Sequence, residues 1–309
     1  METRCYQLGI VGLRLSSESA APLDDYDALY EAFRVQAVCA PALEIAVCSR
    51  RLRPWSRCVY TVRCAGREKV VGRKRRTVLP EIEAALTRQV QGSPRLVQLP
   101  AGALSRDGQA LLLASAEGRS VSALAAGMLS RGWQLLSAEP ALIDPGARRA
   151  QAFPKALRLA RDELRGIRRL GLGEHVAGPF ELRGGQRCYY LPAWKTGGHA
   201  RAVSAPVRWW VSVASKDPSG TRPDGSFPGA GCSPELMDGC LRLHVGLDSI
   251  EATVERIDQS LSQAAPAPGV CAPSEAPADR PARRVAGSPS KPPSTPPFPG
   301  ILESLWGRG

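Results

Sequence analysis

The order of apolar runs and turn residues between positions 95 and 145 constrains this chain more than any other feature. The stretch RLVQLPAGALSRDGQALLLASAEGRSVSALAAGMLSRGWQLLSAEPALIDP reads as strand, Asp107-Gly108 turn, strand, loop, helix and strand. Asp-Gly between apolar runs suits a two-residue hairpin turn. Residues 109–115 are too few for a typical helix, and a small polar loop, residues 116–120, separates them from a second apolar segment at 121–129. A loop therefore opens onto a helix N-terminus, where free backbone N–H groups favour phosphate. A plain strand-loop-helix crossover with no nucleotide site fits the same pattern.

Three words within and beside this stretch carry a family resemblance. They are Ser115-Ala116-Glu117-Gly118-Arg119-Ser120-Val121-Ser122, Gly132-Trp133-Gln134-Leu135-Leu136-Ser137-Ala138-Glu139 and Leu99-Pro100-Ala101-Gly102-Ala103-Leu104. Together they resemble the core of the HPr serine kinase-like family, a P-loop fold whose members phosphorylate protein serine with ATP. The family's phosphate loop has the form G-x-x-G-x-G-K-[ST]. Gly118 and Ser122 keep family positions, Ser115 and Ser120 replace glycines, and Val121 stands where the phosphate-gripping lysine is expected. Ala138 replaces one of two adjacent acids, leaving Glu139, and Pro100 stands where histidine is common.

The resemblance implies nucleotide binding by Gly118, Arg119, Ser120 and Ser122, a magnesium ion held by Ser122 and Glu139, and Glu139 as the catalytic residue. ATP and magnesium are the implied cofactors, and a protein or peptide is the implied acceptor or partner. Val121 supplies no charge at the β/γ-phosphates, and the lost glycines restrict close backbone approach. The implied function is therefore a serine kinase-like phosphotransferase by descent, weakened or inactive. A non-catalytic binding or accessory module on the same fold is the alternative. Downstream, Phe153-Pro154-Lys155-Ala156-Leu157 resembles a family segment of Phe-Pro-basic-x-Leu type. Lys155 or Arg158 can contact phosphate there, or simply cover a surface.

At 309 residues the chain can bury a sizeable core. Its net charge of +12 raises nucleic acid as a partner, but the excess is spread along the chain and aromatic residues make up 6%, too few for an evident base-stacking platform. The densest basic cluster, Arg67, Lys69, Arg73, Lys74, Arg75 and Arg76, reads as a solvated hairpin rim or as a phosphate contact. Nine cysteines without a C-x-x-C pair argue against a disulfide framework or zinc site. Neither a signal peptide nor a membrane-spanning run is legible, so a cytoplasmic protein is expected.

The expected fold class is α/β. Residues 1–94 form an N-terminal α/β lead-in, with strands at 6–15, 43–48 and 58–64 and helices at 24–33 and 78–90. Residues 95–263 form the P-loop HPr kinase-like core, with a basic helix at 161–172, strands at 189–191 and 205–211, an irregular loop at 214–234, and a strand-helix ending at 240–261. Residues 264–309, rich in Pro and poor in large apolar side chains, are expected to be a disordered tail.

Overall fold

The computed structural model describes residues 1–38, 42–50, 58–91, 95–115, 121–198, 203–214, 240–246 and 249–264. The protein is mixed α/β. The expected strand at 6–15 is in fact a hairpin, β1 (Glu2–Leu8) and β2 (Val11–Ser17), folded at Gly9-Ile10. Gly9 has φ +61°, and a Cβ there would lie 1.9 Å from the Ala152 carbonyl oxygen. That same oxygen accepts a hydrogen bond from Ile10 N at 3.1 Å. Only glycine allows both the turn and the close approach. Apolar patterning runs through the turn, so the sequence reads as one strand.

Helix α1 (Ala20–Tyr30) crosses over and is followed by β3 (Arg34–Val35), β4 (Ala42–Arg50), β5 (Val59–Cys64) and β6 (Arg67–Gly72). They form a six-stranded sheet of order β3-β1-β2-β4-β5-β6, in which β2 and β4 are parallel. Helix α2 (Val78–Gln91) follows, as its amphipathic spacing predicts. Leu79, Ile82, Leu86 and Val90 are buried together with Tyr6, Leu15, Tyr26 and Ile45. The Tyr6, Tyr26 and Tyr30 rings meet at 4.8 and 4.4 Å, so the layer between sheet and helices is largely aromatic.

The second sheet contains β7 (Val97–Leu99), β8 (Ala101–Arg106) and β9 (Gln109–Ser115), then β10 (Gln134–Ser137), β11 (Ala141–Asp144) and β12 (Arg149–Gln151) after helix α3 (Val121–Leu129). Asp107 and Gly108 both have positive φ, +52° and +74°, as a type I′ hairpin turn requires. A small third sheet, β13 (Leu157–Leu159), β14 (Ala177–Glu181) and β15 (Arg187–Leu191), flanks helix α4 (Leu164–Arg169). The chain returns as β16 (Ser204–Ala214) and, after residues 215–239, as β17 (Leu241–Gly246) and helix α5 (Ile250–Ala264). Strands β9, β16 and β17 lie parallel at the centre, where the run 110–114 is buried on both faces.

Helix α3 packs between this sheet and α5. A Cβ on Gly127 would lie 2.5 Å from Val254 Cγ2, so the helices meet at a glycine. Asp258 of α5 accepts hydrogen bonds from Arg106 at 2.6 Å and Trp133 Nε1 at 3.1 Å, tying the last helix to the β8 hairpin. The expected helix at 161–172 shortens to α4. The Glu163 carboxylate accepts the Ala160 N–H at 2.7 Å before it, and Gly171, at φ +75°, ends it. Strands β11 to β14, each three to five residues long, were not legible among the turn residues that separate them.

Residues 1–265 form one compact unit in which the lead-in shares its core with later segments. Phe153, Ala156, Phe180 and Tyr190 are buried in the same cluster as Tyr30 and Leu86. No described helix is long and apolar enough to cross a membrane. The loop at 116–120, almost all of the expected irregular loop and the Pro-rich tail lie outside the described residues.

Candidate functional site

A cleft of about 970 Å³ opens where the two large sheets and the third sheet meet. One wall is α2, with Glu83, Thr87 and Arg88; opposite lie Pro100, the first turn of α3, and Ala138-Glu139-Pro140 after β10. Segments 155–163 and 186–190 close it with Lys155, Arg158, Asp162, Arg187 and Tyr190. Pro100, Ser122, Ala138 and Glu139 stand at strand ends or in a first helical turn, whereas Glu83, Thr87 and Arg88 project from the body of α2.

Ser122 is half-buried in the first turn of α3, Glu139 is exposed at the rim, and both line this cleft. So do Pro100, Lys155 and Arg158. Residues far apart in sequence are thus brought to one hollow by the start of α3, the end of β10 and the segment after β12. Gly118, Arg119 and Ser120 lie outside the described residues. Val121 is buried, and its Cγ1 would touch a Cβ added to Gly102 at 3.3 Å. An apolar side chain packed on β8 occupies the position where the resemblance implies a cation.

Beneath the cleft runs a buried polar network that crosses from lead-in to core. Tyr30 donates its hydroxyl to Glu83 Oε1 at 2.8 Å and accepts the Ala156 N–H at 2.9 Å. Thr87 Oγ1 donates to the Glu83 carbonyl at 2.9 Å and accepts from Lys155 Nζ at 2.8 Å. The ammonium also lies 5.6 Å from the Phe153 ring centre. Burial raises the Glu83 pKa above the ordinary carboxylate value, opposed by the charge of Lys155. Burial likewise lowers the Lys155 pKa, opposed by Glu83 and also by Glu139. Tyr190 and Cys188 are both pushed up by burial, which leaves the Cys188 thiol a poor nucleophile.

Among the described residues no group of three His, Cys, Asp or Glu side chains converges on a metal position. That does not conflict with magnesium, which keeps several waters and binds through one or two carboxylates together with substrate phosphates. One hydroxyl, Ser122, and one carboxylate, Glu139, on the same wall of an open cleft fit a metal that arrives with a polyphosphate. The volume and the cationic residues Arg88, Lys155, Arg158 and Arg187 fit the polyphosphate itself.

No protein-family model matches this sequence, and no curated protein or solved structure resembles it significantly. The site's chemistry must therefore be judged on its own residues.

Glu83, Thr87 and Arg88 were not read as site residues. The signal available was Glu83 itself, an acid set among Leu79, Ile82, Leu86 and Val90 on the apolar stripe of α2. A charge on a buried stripe requires a partner, and here the hydrogen bond comes from the Tyr30 hydroxyl of α1, with the Lys155 ammonium contributing only its nearby charge.

Proposed function

We propose that the cleft binds the phosphates of a nucleotide and that the chain is a serine kinase-like protein built on a P-loop core of HPr kinase type. By descent it is an ATP-dependent phosphotransferase toward a hydroxyl on a protein or peptide, weakened by the valine at position 121. The observation that carries this reading is the convergence of Ser122, Glu139 and Lys155 on one cleft at the start of α3. The arrangement of neighbours supports it as well: β9 leads through the loop to α3 and lies beside a parallel strand, β16.

When bound, ATP supplies the phosphoryl group, and Ser122 and Glu139 are the residues that would hold its magnesium. The backbone N–H groups of the first turn of α3 favour an anion at that end of the cleft. Glu139 would act either as that metal ligand or as the base that takes the proton of an incoming hydroxyl. Val121 offers neither charge nor hydrogen bond. Losing one preorganised stabilising group of this kind lowers turnover on the order of a hundredfold or more. The non-catalytic reading draws on the same residue, since a side chain packed against Gly102 stabilises the fold whether or not the site turns over.

Calorimetric titration of the full chain with ATP and magnesium tests the proposal, beside a Val121→Lys variant. Saturable binding by the wild type and tighter binding by the variant are expected; no binding by either overturns the reading. ADP formation in the presence of candidate acceptors then separates a weak kinase from a nucleotide-binding module without turnover.

A further inference from the structure

We infer that Lys155 supplies the cationic grip on the polyphosphate that position 121 no longer provides. The inference rests on the reading of the cleft as a nucleotide site and gives one residue that lines it a specific role, argued from its burial and hydrogen bonding.

Lys155 is 8% exposed, so its ammonium has given up most of its water. Such a group is costly unless its three N–H donors find acceptors. One donor is used, on Thr87 Oγ1. No carboxylate lies within ion-pair distance of it among the described residues: the nearby acid, Glu83, spends an oxygen on Tyr30. Among the described residues no carboxylate touches this buried cation, and a phosphate oxygen has the charge and geometry to meet its remaining donors.

The position is fixed from both sides. Thr87 points its own proton at the Glu83 carbonyl, which leaves its oxygen lone pairs for the lysine. The Ala156 N–H is held by Tyr30, and the Phe153 N–H by the Leu136 carbonyl of β10, three residues before Glu139. The amine is therefore tethered both to the lead-in helices and to the strand that delivers the acid. Arg158 lines the same cleft from the exposed side, where water screens it and a long side chain must be ordered on binding. Lys155 is already ordered, so it contributes more per contact.

Three titrations of the full chain, with ATP, inorganic tripolyphosphate and adenosine, test the assignment in wild type and in Lys155→Met. The variant is expected to bind ATP and tripolyphosphate about ten- to hundredfold more weakly, the range for a lost charge-assisted hydrogen bond, with adenosine unchanged. Adding Val121→Lys to Lys155→Met is expected to restore part of the loss. If the wild type binds ATP and Lys155→Met binds it equally well, Lys155 is not the grip while the nucleotide reading stands. If the wild type binds neither ATP nor tripolyphosphate, both fall together. Should the methionine variant fail to fold, amine labelling of the wild type read by mass spectrometry decides. Protection of Lys155 by saturating ATP supports the grip, and labelling unchanged by ATP overturns it.

Discussion

Two cationic regions of this protein differ in what faces them. Around the β6 hairpin, Lys69 pairs with Glu81, Lys74 with Glu181 at 2.8 Å, and Arg75 with Asp25 at 2.6 Å. At the cleft, Lys155 and Arg158 have no carboxylate within ion-pair distance among the described residues. Three residues of the densest basic run in the sequence are thus paired by the fold, whereas the sparser cationic group has no carboxylate in ion-pair contact among the described residues. Charge density along a chain is a poor guide to where charge is available; the acids that folding brings alongside decide it.

The sharpest test of this contrast sets Lys155→Met beside Lys74→Met. The first should weaken ATP binding about ten- to hundredfold and the second should leave it unchanged, by calorimetry under one salt condition. Equal losses would make the two regions parts of one diffuse field.

Next in size is the cost of opening the buried network. Glu83→Leu removes the acceptor of the Tyr30 hydroxyl and leaves a buried amine beside an apolar side chain. A loss of about 3 kcal/mol in urea unfolding is expected. The double variant Glu83→Leu/Lys155→Met should be more stable than the two single losses predict, by about 1–2 kcal/mol. Strict additivity would mean that the two groups do not interact.

A smaller effect concerns pH. The Glu83 pKa is raised on folding, so its contribution is full below the ordinary value of 4.5 and is lost as pH rises through the elevated folded value. The Lys155 pKa is lowered, so its contribution is full above 10.5 and is lost as pH falls toward the depressed folded value. Both trends make the burial of these groups most costly between those limits. Glu83→Gln/Lys155→Met should therefore flatten the stability profile from weakly acidic to alkaline pH, measured as unfolding midpoints; a profile identical to wild type would contradict the assignment.

The smallest effect is expected at the hairpin. Arg75→Ala removes a part-exposed ion pair and should cost no more than about 1 kcal/mol, less at high salt, with ATP binding unaffected.

The sequence made the middle of the molecule legible because its signals are local. The Asp107-Gly108 turn, the apolar run of β9 and the apolar segment of α3 each declare themselves within a few residues, and the structure has strand, turn, strand, helix and strand in that order. The β1–β2 hairpin was misread because apolar patterning runs through its turn, and the one local sign, Gly9, gains its meaning from a distant carbonyl, that of Ala152. The site was half legible for the same reason. Ser122 and Glu139 stand beside recognisable strand and helix ends, whereas Thr87 matters only because folding lays α2 across the segment that carries Lys155. The first turn of α2 follows a 3-10 turn in which Thr77 bonds back to the Lys74 carbonyl at 2.6 Å, a local arrangement that helical spacing does not reveal.

The most direct measurement is the titration of the unmodified 309-residue chain with ATP at fixed magnesium, repeated with adenosine. One saturable site whose affinity depends on the triphosphate is the predicted result. Heat signals no larger for ATP than for adenosine, up to millimolar nucleotide, would contradict the account at its root.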